Sequence, residues 1–267
     1  MSRFSCGDGP RLAAFWVAIV AWAGVYANCP ARVQADEKEA WIMLSTPDFA
    51  AWQAQYGWKS IADAHLDSAN PRRFAVEPGT GAIYNGATGR TVNLVTKRAF
   101  GDLELHCEFM IPKGSNSGVK FQGIYEIQIL DSFGVKQPLG QDCGGIYPRA
   151  AFLPTYHYLD KGKPPRVNAC KPAGEWQTLD ASFRAPRFDA DGKKTSDARI
   201  VRATLNGVLI QEDVEVPYAT GAAWNKAKEH AVGPLLLQAD HGPVAFRNLR
   251  VRPLPAGEAR SAPSSPR

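Results

Sequence analysis

The sequence predicts an all-β protein, a two-sheet sandwich of the jelly-roll kind. Its 267 residues include 24 Gly and 20 Pro with little low-complexity sequence, a composition that supplies many turns and favours short strands over a helix bundle. From about residue 72 onward, short segments alternate between apolar and polar residues, as half-buried strands do. The sequence contains no internal repeat, so we expect one sandwich domain over residues 36–254.

The N-terminus has the pattern of an export signal. Two arginines precede an apolar run at residues 12–27, and residues 33–35 (VQA) fit a small-x-small cleavage site. We therefore expect a signal peptide at residues 1–35 and a periplasmic or secreted protein without stable membrane insertion. Cleavage after residue 27 stays open, and so does an uncleaved anchor, because about 16 apolar residues are near the lower limit for spanning a bilayer.

Charge and cysteine content narrow the function classes. Loss of residues 1–35 would lower the net charge from +5 to +3, because three arginines and one aspartate leave, and this mild balance argues against nucleic-acid binding. Of the remaining cysteines, Cys107 alternates with core residues, so we predict that any disulfide joins Cys143 and Cys170. Their spacing is unlike a zinc site, so no metal site or cofactor is predicted, and a divalent-metal requirement is left open.

The first half of the domain divides into a helix and strands. Ser45-Thr46-Pro47-Asp48 followed by FAAWQAQY predicts a capped short helix. In LELHCEFMI, residues 103–111, alternate positions are apolar and predict a half-buried strand. KGSNSG at residues 113–118 predicts a turn before two further strands, VKFQG and YEIQIL.

The second half begins with a long loop and returns to strands. Residues 132–175 are rich in Gly, Pro and Tyr, and so long a loop in a compact domain is usually functional. Residues 176–183 predict a strand, and ARIVRATL with VLIQEDVEV predicts a hairpin around Asn206-Gly207. The last two strands, joined by a turn at residues 241–243, are expected to pair, and residues 255–267 to be a disordered tail.

One acid is out of step with its strand. In YEIQILD, Glu126 and Gln128 share one face, and strict alternation places Asp131 on the apolar face. A β-bulge near residues 129–130 would return Asp131 to the face of the other two. The alternative, which spacing alone favours equally, is that Asp131 ends the strand as a turn residue.

The same stretch carries a resemblance to known enzymes. It resembles the active strand of laminarinase-type sandwich glycosidases, Glu-x-Asp-x-x-Glu, with Gln128 and Asp131 replacing the last two acids. More of the chain resembles the 3-keto-disaccharide hydrolase domain family, through NSGVKFQGIYEIQILD, CGGIYP, KPAGEW, LNG and PLLLQADHGPVAFRNLRV, across about residues 40–254. That resemblance implies a concanavalin A-like sandwich of the lectin/glucanase type, and cleavage of glycosides already oxidised at C3.

A 3-keto sugar changes the chemistry that the site must provide. The ketone acidifies the C2 proton, so one base can remove it, the glycosidic oxygen can leave, and water can add back. We assign Glu126 as the base, Asp131 as the acid for the leaving group, and Gln128 as the group that orients a hydroxyl or the enolate oxygen. The alternatives are a noncatalytic carbohydrate-binding module on the same fold, and a surface domain for adhesion or assembly.

Further polar residues near these motifs are candidates for contacting a carbohydrate substrate. Each also has a structural interpretation: a turn residue, a solvated lysine, loop packing, or a network around the turn at residues 241–243. The candidates are Asn116, Lys120, Gln122, Tyr147, His157, Gln238, His241 and Arg247. The sequence contains no Gly-rich phosphate loop, serine nucleophile elbow or His-rich metal spacing.

Overall fold

A computed structural model describes residues 40–255, so the predicted signal peptide and nearly all of the predicted tail lie outside the described residues. The regular elements of this part of the chain are strands, and it contains no helix long and apolar enough to cross a membrane. The strands are β1 Ile42–Met43, β2 Lys59–Asp67, β3 Asn70–Tyr84, β4 Leu94–Phe100, β5 Leu103–Met110, β6 Asn116–Phe121, β7 Tyr125–Leu130, β8 Ala150–Ala151, β9 His157–Tyr158, β10 Gln177–Arg184, β11 Arg187–Phe188, β12 Lys194–Ser196, β13 Ala198–Leu205, β14 Val208–Val216, β15 Gly233–Leu237 and β16 Ala245–Pro253.

Two antiparallel sheets form the predicted sandwich. The larger sheet has the strand order β14-β13-β10-β5-β16-β3-β2, with β1 paired to β16. The smaller sheet has the order β4-β15-β6-β7, and β8–β9 and β11–β12 form separate two-stranded hairpins. The all-β sandwich expected from the sequence is confirmed.

The core lies between the two sheets. Along β5, Leu103, Leu105 and Cys107 point inward and are fully buried, as the alternation predicted. Phe121 of β6 stacks on Phe183 of β10, with 4.8 Å between ring centroids, and this contact joins the smaller sheet to the larger one.

Strands β6 and β7 form a regular hairpin. Their register runs unbroken from the pair Asn116–Leu130 to the pair Phe121–Tyr125, so the predicted bulge in β7 is wrong. Asp131 follows the end of the strand, and its Oδ2 accepts a hydrogen bond of 2.8 Å from the backbone N–H of Gly114. Asp131 is therefore a turn residue that ends the strand, as the alternative interpretation predicted.

Three local predictions are also corrected. The expected helix is a pair of turns, because Phe49 has a positive φ of 55°, which an α-helix does not allow; Phe49 and Trp52 are both buried. The segment NSG belongs to β6 rather than to a turn. The last two strands, β15 and β16, lie in different sheets instead of pairing.

Several other elements match their prediction. Strands β13 and β14 pair as a hairpin whose turn residues, Asn206 and Gly207, both have positive φ, 54° and 80°, as a type I′ turn requires. The long loop over residues 132–175 carries only the short hairpin β8–β9, and part of this loop lies against the edge of β7.

Candidate active site

The candidate site lies on the outer face of the β6–β7 hairpin. Because Val119 and Ile127 point into the core, their neighbours Lys120 and Glu126 point outward, and these two are directly paired across the strands. The same alternation places Asn116 and Gln128 on this face. The backbone thus holds four polar side chains on two adjacent strands.

The loop after β7 covers this outer face at its edge. Gln128 N–H donates to Gly145 O at 2.9 Å, Gly144 N–H donates to Gln128 O at 2.8 Å, and Tyr147 N–H donates to Glu126 O at 3.2 Å. These bonds satisfy the outer edge of β7, and Glu126 and Gln128 are only 3% and 2% exposed despite facing away from the core. Burial of polar side chains outside the core marks this face as a pocket.

The covered face encloses a cavity of about 540 Å³. This volume is in the range of small-ligand sites. Its walls come from β6, β7, the loop after β15, the β8–β9 hairpin and residues 221–222. The lining residues are Asn116, Lys120, Glu126, Gln128, Tyr147, Phe152, Tyr156, Gly221, Ala222, Gln238 and His241.

Glu126 is the carboxylate among these lining residues. Burial raises its pKa, although the ammonium of Lys120, with Nζ 3.0 Å from Glu126 Oε2, acts in the opposite direction. The side chain of Glu126 lies over Gly118, where an added Cβ would come within 2.1 Å of Oε1. A glycine is therefore needed at position 118 to leave room for the carboxylate.

Two amide oxygens in the cavity are available to a ligand. Asn116 Oδ1 and Gln128 Oε1 are buried, and neither has a hydrogen-bond partner among the described residues. Buried polar atoms are normally paired, so unpaired acceptors on a cavity wall indicate a place where ligand hydroxyls bind.

The wall on the β15 side holds a histidine. His241 Nδ1 lies 2.6 Å from Asp240 Oδ1 and 3.2 Å from Gln238 Nε2. Gln238 N–H donates to Gly118 O at 2.9 Å, which ties this turn to β6. These contacts fit the turn network, and His241 also lines the cavity, as the substrate-contact prediction requires.

The opposite wall is a cluster of aromatic residues. Tyr147 Oη lies 2.9 Å from Tyr156 Oη and 3.3 Å from Tyr158 Oη, and Phe152 packs edge-on against Tyr156. Burial, followed by the contacts with Tyr156 and Tyr158, raises the pKa of Tyr147. Aromatic faces with hydroxyl groups are suited to packing on a sugar ring.

Most of the predicted site residues meet in this cavity. Those that line it are Asn116, Lys120, Glu126, Gln128, Tyr147, Gln238 and His241. Four others do not line it: Gln122, Asp131, His157 and Arg247.

Gln122 and His157 do not line the cavity, because the alternation of side chains ends before Gln122 and points His157 elsewhere. Strand β6 stops at Phe121, and Gln122 enters the turn with a positive φ of 52°, so the alternation with Lys120 does not continue. His157 alternates with Tyr156 and Tyr158, both of which contact Tyr147, and it hydrogen-bonds Thr155 O instead.

Arg247 is absent from the cavity because β16 belongs to the larger sheet. Its Nε donates to Glu108 Oε2 at 2.7 Å, and its guanidinium lies over the Trp176 ring at 4.2 Å. Arg247 therefore fits neither the substrate-contact prediction nor the network around the turn at residues 241–243.

Sequence reasoning missed four lining residues. Tyr156 and Phe152 could have been predicted from the sequence, because both lie in the aromatic-rich part of the long loop. Only Tyr147 and His157 were named there as substrate-contact candidates. Gly221 and Ala222 could not have been predicted, since small residues in a loop carry no chemical pattern.

The three cysteines among residues 40–255, Cys107, Cys143 and Cys170, are free thiols. Cys143 and Cys170 contact each other through a hydrogen bond, which raises the pKa of Cys143 and lowers that of Cys170. Cys143 and Cys170, the predicted disulfide partners, are thus in contact but form no disulfide. Among residues 40–255, no group of three or more His, Cys, Asp or Glu is placed to hold a metal ion.

Comparison with known proteins identifies the family. Residues 41–252 match the 3-keto-alpha-glucoside-1,2-lyase-like domain. The chain belongs to this family. A candidate glycosyl hydrolase of Parabacteroides distasonis is similar in structure to this domain. The two share 25% sequence identity and a TM-score of 0.52, and the match covers 80% of this chain and 84% of that one.

A second candidate glycosyl hydrolase from the same organism shares the fold of this lyase-like domain. It has 18% identity and a TM-score of 0.52, over 80% of this chain and 100% of that one. No curated protein sequence matches the chain. The family and the first structural neighbour together indicate a carbohydrate-active enzyme.

Proposed function

We propose that the protein cleaves 3-keto-disaccharides or other 3-keto-glycosides by elimination across C1 and C2, followed by addition of water. The supporting observation is a single buried carboxylate, Glu126, ion-paired to Lys120 in a polar cavity. Ordinary glycosidases need two carboxylates on either side of the bond, whereas elimination next to a ketone needs one base.

Glu126 is the base in this proposal. Its raised pKa makes it a better proton acceptor than an exposed glutamate, and burial keeps competing water away. It removes the C2 proton, and the electrons of the C2–H bond move toward the C3 carbonyl to form an enolate.

Lys120 supplies the charge that the enolate requires. Its ammonium adjoins Glu126, so it lies next to the atoms that react, and a fixed positive charge near the developing oxyanion lowers the barrier. Asn116 Oδ1 and Gln128 Oε1 accept hydrogen bonds from sugar hydroxyls and orient the ring. Collapse of the enolate forms the C1=C2 double bond and expels the glycosidic oxygen, which takes up a proton. Water then adds its hydroxyl at C1, and protonated Glu126, whose proton exchanges with solvent, returns a proton to C2.

The experiment compares oxidised and unoxidised forms of the same disaccharide in deuterated water. We expect sugar release from the 3-keto form alone, with deuterium incorporated at C2 of the released sugar. Equal cleavage of the unoxidised sugar without deuterium at C2 would contradict the proposal.

A noncatalytic carbohydrate-binding module remains the second candidate, because the cluster of Tyr147, Tyr156, Tyr158 and Phe152 at the cavity wall resembles a sugar-stacking surface. The same experiment separates the two functions. Saturable binding of the 3-keto sugar with neither cleavage nor deuterium exchange would support the module.

Export belongs to the same proposal. An enzyme with the N-terminal pattern at residues 1–35 acts on sugars outside the cytoplasm. N-terminal sequencing of the protein from a periplasmic fraction is expected to begin at Asp36, and recovery of uncleaved chain in the cytoplasm would contradict it.

A further inference from the structure

The proposed elimination requires an acid that protonates the departing oxygen, and the sequence-based candidate does not reach the cavity. The carboxylate of Asp131 hydrogen-bonds the backbone N–H of Gly114 and does not line the cavity. A sugar alkoxide is a poor leaving group, so a positioned proton donor contributes a large rate factor, about 10²–10⁴.

The cavity offers few groups that carry a transferable proton. Lys120 and Glu126 are paired with each other. His241 is held through Nδ1 at the Asp240 carboxylate on an exposed turn. The phenols of Tyr147 and Tyr156 remain on the other wall.

The three tyrosines form an ordered chain of hydroxyls. Tyr147 lies between the other two, 3.3 Å from Tyr158 and 2.9 Å from Tyr156. When Tyr158 donates to Tyr147 and Tyr147 donates to Tyr156, the proton of Tyr156 is left over. The Tyr156 hydroxyl has no other hydrogen-bond partner among the described residues.

The ring of Tyr156 is held in place and lines the same cavity as the charged pair. It packs edge-on against Phe152 and Tyr158, with ring centroids 5.5 Å and 5.8 Å away. Both Glu126 and Lys120 interact with it electrostatically. A proton donor in the same cavity as the base is what C2 and the adjacent C1–O bond require.

Resting on the proposed function, we propose that Tyr156 is the catalytic acid that protonates the glycosidic oxygen, and that Tyr147 is a positioning residue. After Glu126 has taken the C2 proton, the enolate collapses to the C1=C2 double bond, the C1–O bond breaks with its electron pair staying on oxygen, and that oxygen takes the Tyr156 proton. The resulting phenolate accepts the hydrogen bond from Tyr147 and regains a proton from water.

The acid–base properties of Tyr156 agree with this role. Burial raises its pKa, so the phenol stays protonated at neutral pH, while the hydrogen bond from Tyr147 and the charge of Lys120 favour the phenolate. An ordinary phenol is a stronger acid than a sugar hydroxyl, which favours transfer of its proton to the leaving oxygen.

The test uses Tyr156→Phe with two leaving groups on the same 3-keto glucoside. With a second sugar as leaving group, we expect kcat to fall about 10²-fold or more. With 4-nitrophenolate, which departs without a proton, we expect a loss of less than about tenfold. Equal losses on both substrates, or full activity on the disaccharide, would overturn the assignment.

Hydrogen exchange separates this proposal from the proposed function. In deuterated water, Tyr156→Phe is expected to exchange the C2 proton of the intact 3-keto disaccharide, because the base is untouched. If wild-type protein neither exchanges nor cleaves, the proposed function fails. If wild type cleaves but Tyr156→Phe abolishes exchange as well, Tyr156 is not the acid.

Two further variants complete the design. Tyr56→Phe removes an exposed hydroxyl outside the cavity and is the matched control, with activity expected within twofold of wild type. His241→Asn tests the competing donor. A leaving-group-dependent loss in His241→Asn, with none in Tyr156→Phe, would assign the acid to the histidine instead.

Discussion

Strands β5 and β7 have the same alternation, yet their outward glutamates have opposite properties. Glu108 on β5 faces the outside of the larger sheet, where Arg247 and Asn248 donate to its two oxygens at 2.7 Å and 2.5 Å. Burial acts to raise the pKa of Glu108, but these hydrogen bonds outweigh it and lower the pKa overall. Glu126 on β7 has Lys120 as its charged partner and is almost fully buried, and its pKa is raised.

The difference shows what distinguishes the candidate site from an ordinary polar strand face. On β5, Glu104 pairs with Arg252 and His106 pairs with Asp180, so the polar face is a network of matched, partly exposed partners. On β7, the loop at residues 144–147 covers the face, and two amide oxygens stay unpaired. A covered face with unpaired acceptors leaves buried polar atoms whose hydrogen bonds a ligand can complete.

The largest expected effect comes from exchanging the two glutamates for glutamine. Glu126→Gln removes the base, so kcat on a 3-keto disaccharide should fall about 10³-fold or more. Its melting temperature should not fall, because a buried carboxylate with a raised pKa opposes folding once it ionises, and glutamine removes that charge.

The matched variant Glu108→Gln should lower stability and leave activity unchanged. A carboxylate with a lowered pKa stabilises the fold above its unfolded pKa, and this contribution is lost as the pH falls through its folded pKa. We expect about 1–2 kcal/mol of destabilisation at neutral pH and activity within twofold of wild type. Loss of activity in both variants would mean that the two faces do not differ as described.

Gly118→Ala should reduce activity while sparing the fold. The added Cβ would meet the far end of the Glu126 side chain, which can move, so stability should change little while the base is displaced. A loss of about 10²-fold in kcat is expected, because small misplacements of reacting groups cost that much. Gly101→Ala is the control, since its nearest contact would be 3.5 Å. An unchanged kcat for Gly118→Ala would show that Glu126 is not the base.

Lys120→Met should shift the pH profile of the remaining activity. Lys120 lowers the pKa of Glu126, so its removal should move the acid limb of kcat/KM to higher pH. Arg247→Met removes a cation from the other sheet and should leave that limb in place. A limb that stays fixed in Lys120→Met would contradict the pairing of lysine and base.

The smallest effect is expected for Asp131→Asn. The side chain hydrogen-bonds Gly114 outside the cavity, and asparagine keeps an acceptor oxygen, so kcat/KM should stay within about twofold of wild type. A loss comparable to that of Glu126→Gln, measured on the same 3-keto disaccharide, would restore Asp131 to the reaction.

Alternation of apolar residues was enough to predict the sandwich and the inner and outer faces of β5, β6 and β7. That is why Lys120, Glu126 and Gln128 were found together. The same reasoning overreached where a strand ends, because Gln122 enters a turn and Asp131 follows the last paired residue. Short-range patterns do not say at which residue pairing stops.

Long-range arrangement was the other limit. Nothing in the sequence around Arg247 indicates that β15 and β16 belong to different sheets. The two strands were therefore expected to pair, and Arg247 was expected near the cavity. Likewise, Tyr156 reaches the cavity only because the β8–β9 hairpin folds over β7, a contact between segments that local sequence cannot reveal.

The hairpin β6–β7 holds Lys120 and Glu126 a few residues apart, whereas Tyr156 arrives on a separate surface hairpin. In the proposed reaction, the base and the acid therefore lie on two separate hairpins of the chain. Grafting residues 150–158 from another family member should change which aglycones are accepted while the deprotonation step is inherited intact. Such a division would let one scaffold diversify its substrates without rebuilding its reactive centre.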